Sequence, residues 1–216
     1  MSIFARLPFV VAVLFASFTV QAQTAIDALI PNLLPIAAKS REAVVSHPTL
    51  AAFEVEHTIR DAVSKAVKSL TESPKDISKA RSFLTPIEET IGPLREIPLV
   101  ELHFLLAKLA ELEQKLDEQN YHRAFAGALF VTLSRTGNGT SPEAAYKIVM
   151  ITEEYDWFGF MQQRWTRKAR VSRNIEGKLF DIWTAVSPTG EERDIYFDAS
   201  AMQDSLRRVF KARGAS

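Results

Sequence analysis

From Ala25 to Leu133 only two glycines, Gly92 and Gly127, interrupt a sequence whose apolar residues return every three or four positions. That spacing keeps one face of an α-helix against a core and does not suit the alternating faces of a strand. Ile59, Val63, Ala66, Val67 and Leu70 form one such stripe, and Ile77, Ala80, Leu84 and Ile87 form the next. Ser73-Pro74 has the cap and first-turn chemistry of a helix start. Thr85 and Glu88 stand at capping-box spacing, so this stretch reads as one helix or as two short ones. After Pro98 comes the strongest seam, Leu99, Leu102, Leu105, Leu106, Leu109, Leu112 and Leu116. Beyond a polar break at Asp117 to Asn120, Tyr121, Phe125 and Leu129 extend it. An antiparallel helical bundle is predicted. A helical-repeat array is the alternative, although no fixed period emerges.

The character of the chain changes near Thr136. Thr136-Gly137-Asn138-Gly139-Thr140 is a turn cluster, and Ser141-Pro142-Glu143 suits a short helical turn through Ala145. A strand is predicted over Tyr146 to Ile151, then a helix over Glu153 to Met161 with acids at its start, where the dipole favours them. Three more strands are predicted near 167–175, 179–186 and 192–198, separated by hairpin turns at Asn174 to Gly177 and Ser187 to Gly190. Short connections imply antiparallel neighbours. Ser200 and Gln203 are placed to cap a last helix carrying Met202, Leu206, Val209 and Phe210 on one face. The fold class is therefore α+β: an N-terminal antiparallel helical bundle (23–135), then a small antiparallel sheet module with short helices (136–216). The connection at 136–140 is too short for a free linker, so the two regions should share an interface.

Residues 1–22 read as a cleavable secretory signal. Arg6 precedes an apolar run from Leu7 to Val20, and Val20-Gln21-Ala22 offers a cleavage site near Ala22/Gln23. The run falls short of the about 20 apolar residues needed to span a bilayer; a retained anchor is the alternative. No later stretch reaches spanning length. The chain has no cysteine, which removes lipidation, disulfides, thiol catalysis and cysteine-bound metals together. A periplasmic or secreted location is expected. Basic and acidic residues number 26 each, so no global field draws the chain to nucleic acid.

Three segments carry a resemblance. Gly137-Asn138-Gly139-Thr140-Ser141-Pro142-Glu143-Ala144-Ala145-Tyr146, Glu153-Glu154-Tyr155 and Tyr196-Phe197-Asp198 resemble an uncharacterised family of exported bacterial proteins, a domain of unknown function. Its pattern is G-D-G-x-S-x-E-x-A-[YF], a strand, E-E-Y and a closing Y-F-[DN], matched over roughly residues 130–200. Asn138 stands where the family usually has Asp. The resemblance implies export and a shared fold, but no activity.

The motifs that would carry chemistry are sparse. The glycine turn lacks the lysine and spacing of a P-loop, and the dinucleotide fingerprint does not fit. The four histidines lie in the helical region without an H-E-x-x-H; His57 and Asp61, at i,i+4, amount to half a metal site or a solvated pair. The nucleophile elbow G-x-S-x-G is absent. Glu153, Glu154 and Asp156 could act as a general acid or stabilise a helix start. No catalytic residue, metal or cofactor is assigned. The segment from Arg164 to Arg173 interleaves bases with Trp165, and Arg164, Arg167, Lys168 and Arg170, with Gly137 and Gly139, are the candidates for an anionic ligand. Simple alternation sets Ala169, Val171, Ile175, Phe180, Ile182, Ile195 and Phe197 on one sheet face. Lys168, Arg170 and Asn174 then fall opposite, with Asp181, Trp183, Asp194, Tyr196 and Asp198, so bases would meet acids. The expected function is a non-catalytic interaction or structural protein with a protein partner. The alternatives are binding of an anionic glycan, lipid headgroup or phosphate compound, and an unrecognised hydrolase.

Overall fold

The computed structural model describes residues 20–73 and 76–214. The expected signal lies outside the described residues except for 20–22, which open the first helix. Helix α1 (Val20–Val45) contains Pro31 and Pro35. Each removes one backbone donor, but α1 lies along α6, and Ile26, Leu33, Ala37, Phe125 and Ala128 share one core there. Helix α2 (Ala52–Glu72) buries Ile59, Val63 and Ala66 of the predicted stripe, with Val67 and Leu70 half-buried at its edge, and extends it to Val55.

Two short helices follow, α3 (Ile77–Ser82) and α4 (Thr85–Thr90). Pro74, half of the predicted start, lies outside the described residues. The cap of α3 is Asp76, whose carboxylate accepts from the Lys79 N–H. In α4 the N-cap is Leu84, so Thr85 is already helical and the capping box does not form. After a 3₁₀ turn (Leu94–Glu96) come α5 (Val100–Leu112) and α6 (Leu116–Ser134). The leucine seam breaks earlier than its periodicity predicts. Gln114 adopts φ 60°, the Lys115 N–H donates to the Ala110 carbonyl and the Gln114 N–H to that of Glu111. This is a Schellman stop. It reverses the chain and leaves Leu112 and Leu116 exposed at the hairpin tip.

In the C-terminal region β1 (Tyr146–Lys147) is much shorter than its predicted strand, and α7 (Thr152–Phe160) follows. Strands β2 (Thr166–Ile175), β3 (Lys178–Val186) and β4 (Glu192–Asp198) form antiparallel hairpins, and α8 (Ser200–Ala212) closes the chain. The sheet order is β1-β4-β3-β2. It is mixed, because β1 runs parallel to β4. Glu176 at φ 51° and Gly177 at φ 83° make the two-residue turn that the β2–β3 hairpin requires. Ser200 does not cap α8; its hydroxyl accepts from the Leu179 N–H, while Ala199 is the N-cap.

Simple alternation fails in the sheet. Asp181 pairs with Phe197 and Trp183 with Ile195, so Asp181 and Trp183 lie on the core face rather than the outer one. From Ala169 onward β2 keeps its predicted alternation, so Arg170 and Ser172, opposite Trp183 and Asp181, face inward with them; the shift between Arg167 and Ala169 brings Arg167 to the same face, opposite Ala185. Phe180 and Ile182 instead occupy the other face, with Ala145, Ile175 and Tyr196.

The two regions are joined by shared apolar cores. Val149, Met150 and Met202 enter the core of Ile59, Leu84, Leu102 and Leu109, while Leu133 of α6 joins Trp157, Ile195 and Phe197. Among the described residues no helix is long and apolar enough to cross a membrane.

Candidate functional site

Glu153 and Glu154 open α7, which lies against both regions. Glu153 receives Arg41 of α1 through Nε at 2.6 Å and Nη2 at 3.1 Å, and accepts from the Val149 N–H at 2.7 Å. The same guanidinium donates to the Lys147 carbonyl at 2.5 Å. Arg41 and Glu153 are both buried, so each charge is tolerated only because the other meets it. Arg41 belongs to the inner face of α1, one turn from Ala37 and Val44.

The first N–H groups of α7 are satisfied from another helix. Glu56 of α2, itself buried, accepts from Ile151 N–H and Thr152 N–H at 2.9 Å each. The negative charge on the helix N-terminus thus comes from α2. Asp156, one turn into α7, keeps some exposed surface, but the protein crowds its carboxyl beside Glu101, Glu153 and Glu56. Burial first, and then these charges, raise its pKa well above the ordinary carboxylate value. Among the described residues no cluster of three or more histidines and acids is arranged to hold a metal ion.

Glu154 faces the sheet and is fully buried. It accepts from Trp183 Nε1 at 2.6 Å and pairs with Arg170 Nε at 3.0 Å. Arg170 also reaches Asp181 at 2.6 Å, and the Ser172 hydroxyl donates to Asp181. One guanidinium therefore serves two buried carboxylates. Burial and the neighbouring Asp181 outweigh Arg170, and push the Glu154 pKa up to about 8. Near neutral pH Glu154 holds a proton, which balances the charge of the cluster.

The remaining candidates are dispersed. Lys168 pairs with Glu192 at 2.5 Å. Arg167 lies over the Tyr155 ring, 4.8 Å from its centroid, and Arg164 is exposed. At the glycine turn, the Asn138 and Gly139 N–H groups both donate to the Ala144 carbonyl. A Cβ on Gly137 would fall 2.3 Å from the Ala145 carbonyl oxygen, and one on Gly139 2.6 Å from the Tyr146 ring. Both glycines permit a close chain crossing. His57 is exposed, and Asp61 pairs with Lys65 at 2.6 Å.

A groove of about 240 Å³ runs over α6 between α1 and α5. Ala126, Gly127 and Phe130 line it, with Ile26 and Ile30 from α1 and Phe104 and Ala107 from α5, and Phe160 stacks on Phe130. None of Glu153, Glu154 and Asp156 lines it.

Sequence reasoning missed Arg41, Glu56, Asp181 and Trp183 as parts of this junction. Helical spacing from Leu33 through Ala37 could have placed Arg41 on a buried face. No local signal could have paired it with Glu153.

The fold and junction define an α+β protein in which a helical bundle carries a small sheet through shared apolar cores and one buried ion pair, Arg41–Glu153. The chain belongs to the family described as Domain of unknown function (DUF4919), whose model matches residues 60–208, from α2 into α8. No curated protein and no solved structure matches it.

Proposed function

We propose that this chain is an exported, non-catalytic interaction protein, working in the periplasm or outside the cell after cleavage near Ala22/Gln23. One observation carries the non-catalytic part: the buried acids lie outside the groove, and the two carboxylates that line it, Asp27 and Glu111, are engaged by Gln23 and Lys108. A hydrolytic site of this kind needs free acids to converge on a cavity that holds substrate. Away from the groove, Arg41 and the Val149 N–H engage Glu153, and Trp183 and Arg170 engage Glu154, which supports a joining role. Export rests on the leader pattern of residues 1–22.

Crosslinking in periplasmic extract tests this reading, comparing the mature chain with Glu154→Gln. The glutamine keeps an acceptor for Trp183 and removes the proton chemistry. A saturable partner recovered equally by both supports the proposal. Loss of function in E154Q with an intact circular dichroism spectrum, or mass spectrometry of native material retaining Met1, sinks the corresponding half. The second reading is an anionic ligand held at Arg164 and Arg167, favoured by the absence of a carboxylate partner for either among the described residues. It requires salt-dependent retention on an anionic matrix, lost in an Arg164→Ala/Arg167→Ala variant that keeps its circular dichroism spectrum.

A further inference from the structure

β2 ends the sheet, hydrogen-bonded to β3 alone. Every residue from Thr166 to Asn174 is exposed, and Ile175 is half-buried. An edge strand presents alternate backbone N–H and C=O groups along its free side, and proteins ordinarily guard that side with lysine, proline, a bulge or an inward charge. The guards here stop at the near end. The register shift lies between Arg167 and Ala169, and from Ala169 to Ile175 pairing with β3 is regular. That stretch holds no proline and no lysine. Its inward charge, Arg170, is neutralised by Asp181 and hydrogen-bonded to Glu154. Val171 is 44 % exposed, opposite Ile182.

The charge around this edge selects what can pair with it. No acid occurs from Arg164 to Ile175, and Arg164 and Arg173 make no ion pair among the described residues. A second copy would set basic strand against basic strand, which costs stability across a pair. A nucleic acid offers phosphate acceptors but not the alternating donors and acceptors that a strand edge requires.

We infer that β2 is a docking edge for an extended acidic segment of another polypeptide, which adds as a fifth strand along Ala169–Ile175. This rests on the interaction reading above and names the chemistry of its partner. Backbone bonds to the edge supply affinity. Glutamates or aspartates of the segment meet Arg173, acids flanking it reach Arg164 beyond the register shift, and its apolar residues cover Val171.

The test uses the mature chain and three probes: a short peptide alternating valine and glutamate, its valine–lysine counterpart, and a DNA oligonucleotide. The acidic peptide should bind with salt sensitivity and slow amide exchange across 169–175. It should lose about tenfold in affinity in the Arg164→Glu/Arg173→Glu double variant, whose folding circular dichroism checks. Preference for the lysine peptide or DNA, or binding without protection of 169–175, overturns the assignment, as does self-association through β2 seen by sedimentation and exchange. If a crosslinked partner still binds the double variant undiminished, the edge assignment falls while the interaction reading stands.

Discussion

In the helical region, buried polarity is settled between neighbours in one hairpin. His103 on α5 and His122 on α6 face each other, Nδ1 to Nδ1 at 3.0 Å, while His103 Nε2 lies 2.8 Å from the Ile97 carbonyl. A carbonyl only accepts, so His103 carries its proton on Nε2, and its Nδ1 accepts from His122. Both rings are neutral. At the junction, polarity is settled across the chain: Arg41 and Glu153 are 112 residues apart, and His103 and His122 only 19. The hairpin can satisfy its histidines alone, whereas Arg41 meets Glu153, and Glu56 meets the N–H groups of Ile151 and Thr152, only once sheet and bundle have docked. Burial drives both groups toward neutrality, but with opposite proton counts. The histidines shed a proton and Glu154 retains one.

The most damaging attack on the helical side is a charge at its centre. Aspartate at Leu102 or Leu109, both fully buried, should cost more than about 4 kcal/mol and abolish the urea transition. A cooperative transition surviving in either variant would contradict the assigned core. Next comes the junction: Arg41→Met leaves Glu153 buried and unpaired, at a cost of about 3–5 kcal/mol, and Glu153→Leu added to it should restore much of that. A double variant no more stable than R41M would show that the pair matters through geometry rather than charge.

The opposite proton counts predict opposite pH slopes. His103 and His122 titrate near 3 and 4, lowered chiefly by burial, against about 6.5 unfolded. The unfolded chain therefore binds more protons, and stability falls as pH drops from about 6.5 toward those values. Glu154 is raised from 4.5 to about 8, so its contribution is full below about 4.5 and is lost as pH rises to about 8. Each slope should amount to a few kcal/mol at most. Denaturation across pH should show E154Q reducing the alkaline limb alone, to which Asp156 also contributes, and His103→Leu/His122→Phe reducing the acid limb alone. A variant that flattens both would mean that the two regions titrate as one. The smallest effect belongs to the surface: Arg213→Ala, which removes an exposed pair with Glu54, should leave the urea midpoint nearly unchanged.

The helices were legible because three-to-four spacing records burial directly. Ile59, Val63, Leu102 and Leu109 all reach the core that their stripes imply. The strands were legible as elements, but their facing was not. The register of β3 against β4 put Asp181 and Trp183 with Phe197 and Ile195 on the inner face, and Arg170, which alternation had already grouped with Asp181 and Trp183, went inward with them. Leu112 and Leu116 misled for a related reason, because the heptad continues past Gln114 while the backbone does not. Of the junction, Glu153 and Glu154 stood out in the sequence as helix-start acids, and the basic segment as a charge cluster. Their meeting through Arg170 depends on register, which composition does not encode.

Local pattern alone determined the α+β order of elements, the turn at Thr136 and the absence of any covalent crosslink, because each depends on residues within a few positions of one another. Tertiary structure decided which charges are buried, which carboxyl keeps its proton and which strand is left at the edge. Those outcomes depend on desolvation and on partners supplied from distant parts of the chain, and the pairing of Arg41 with Glu153 exists only after the bundle and sheet have closed on each other.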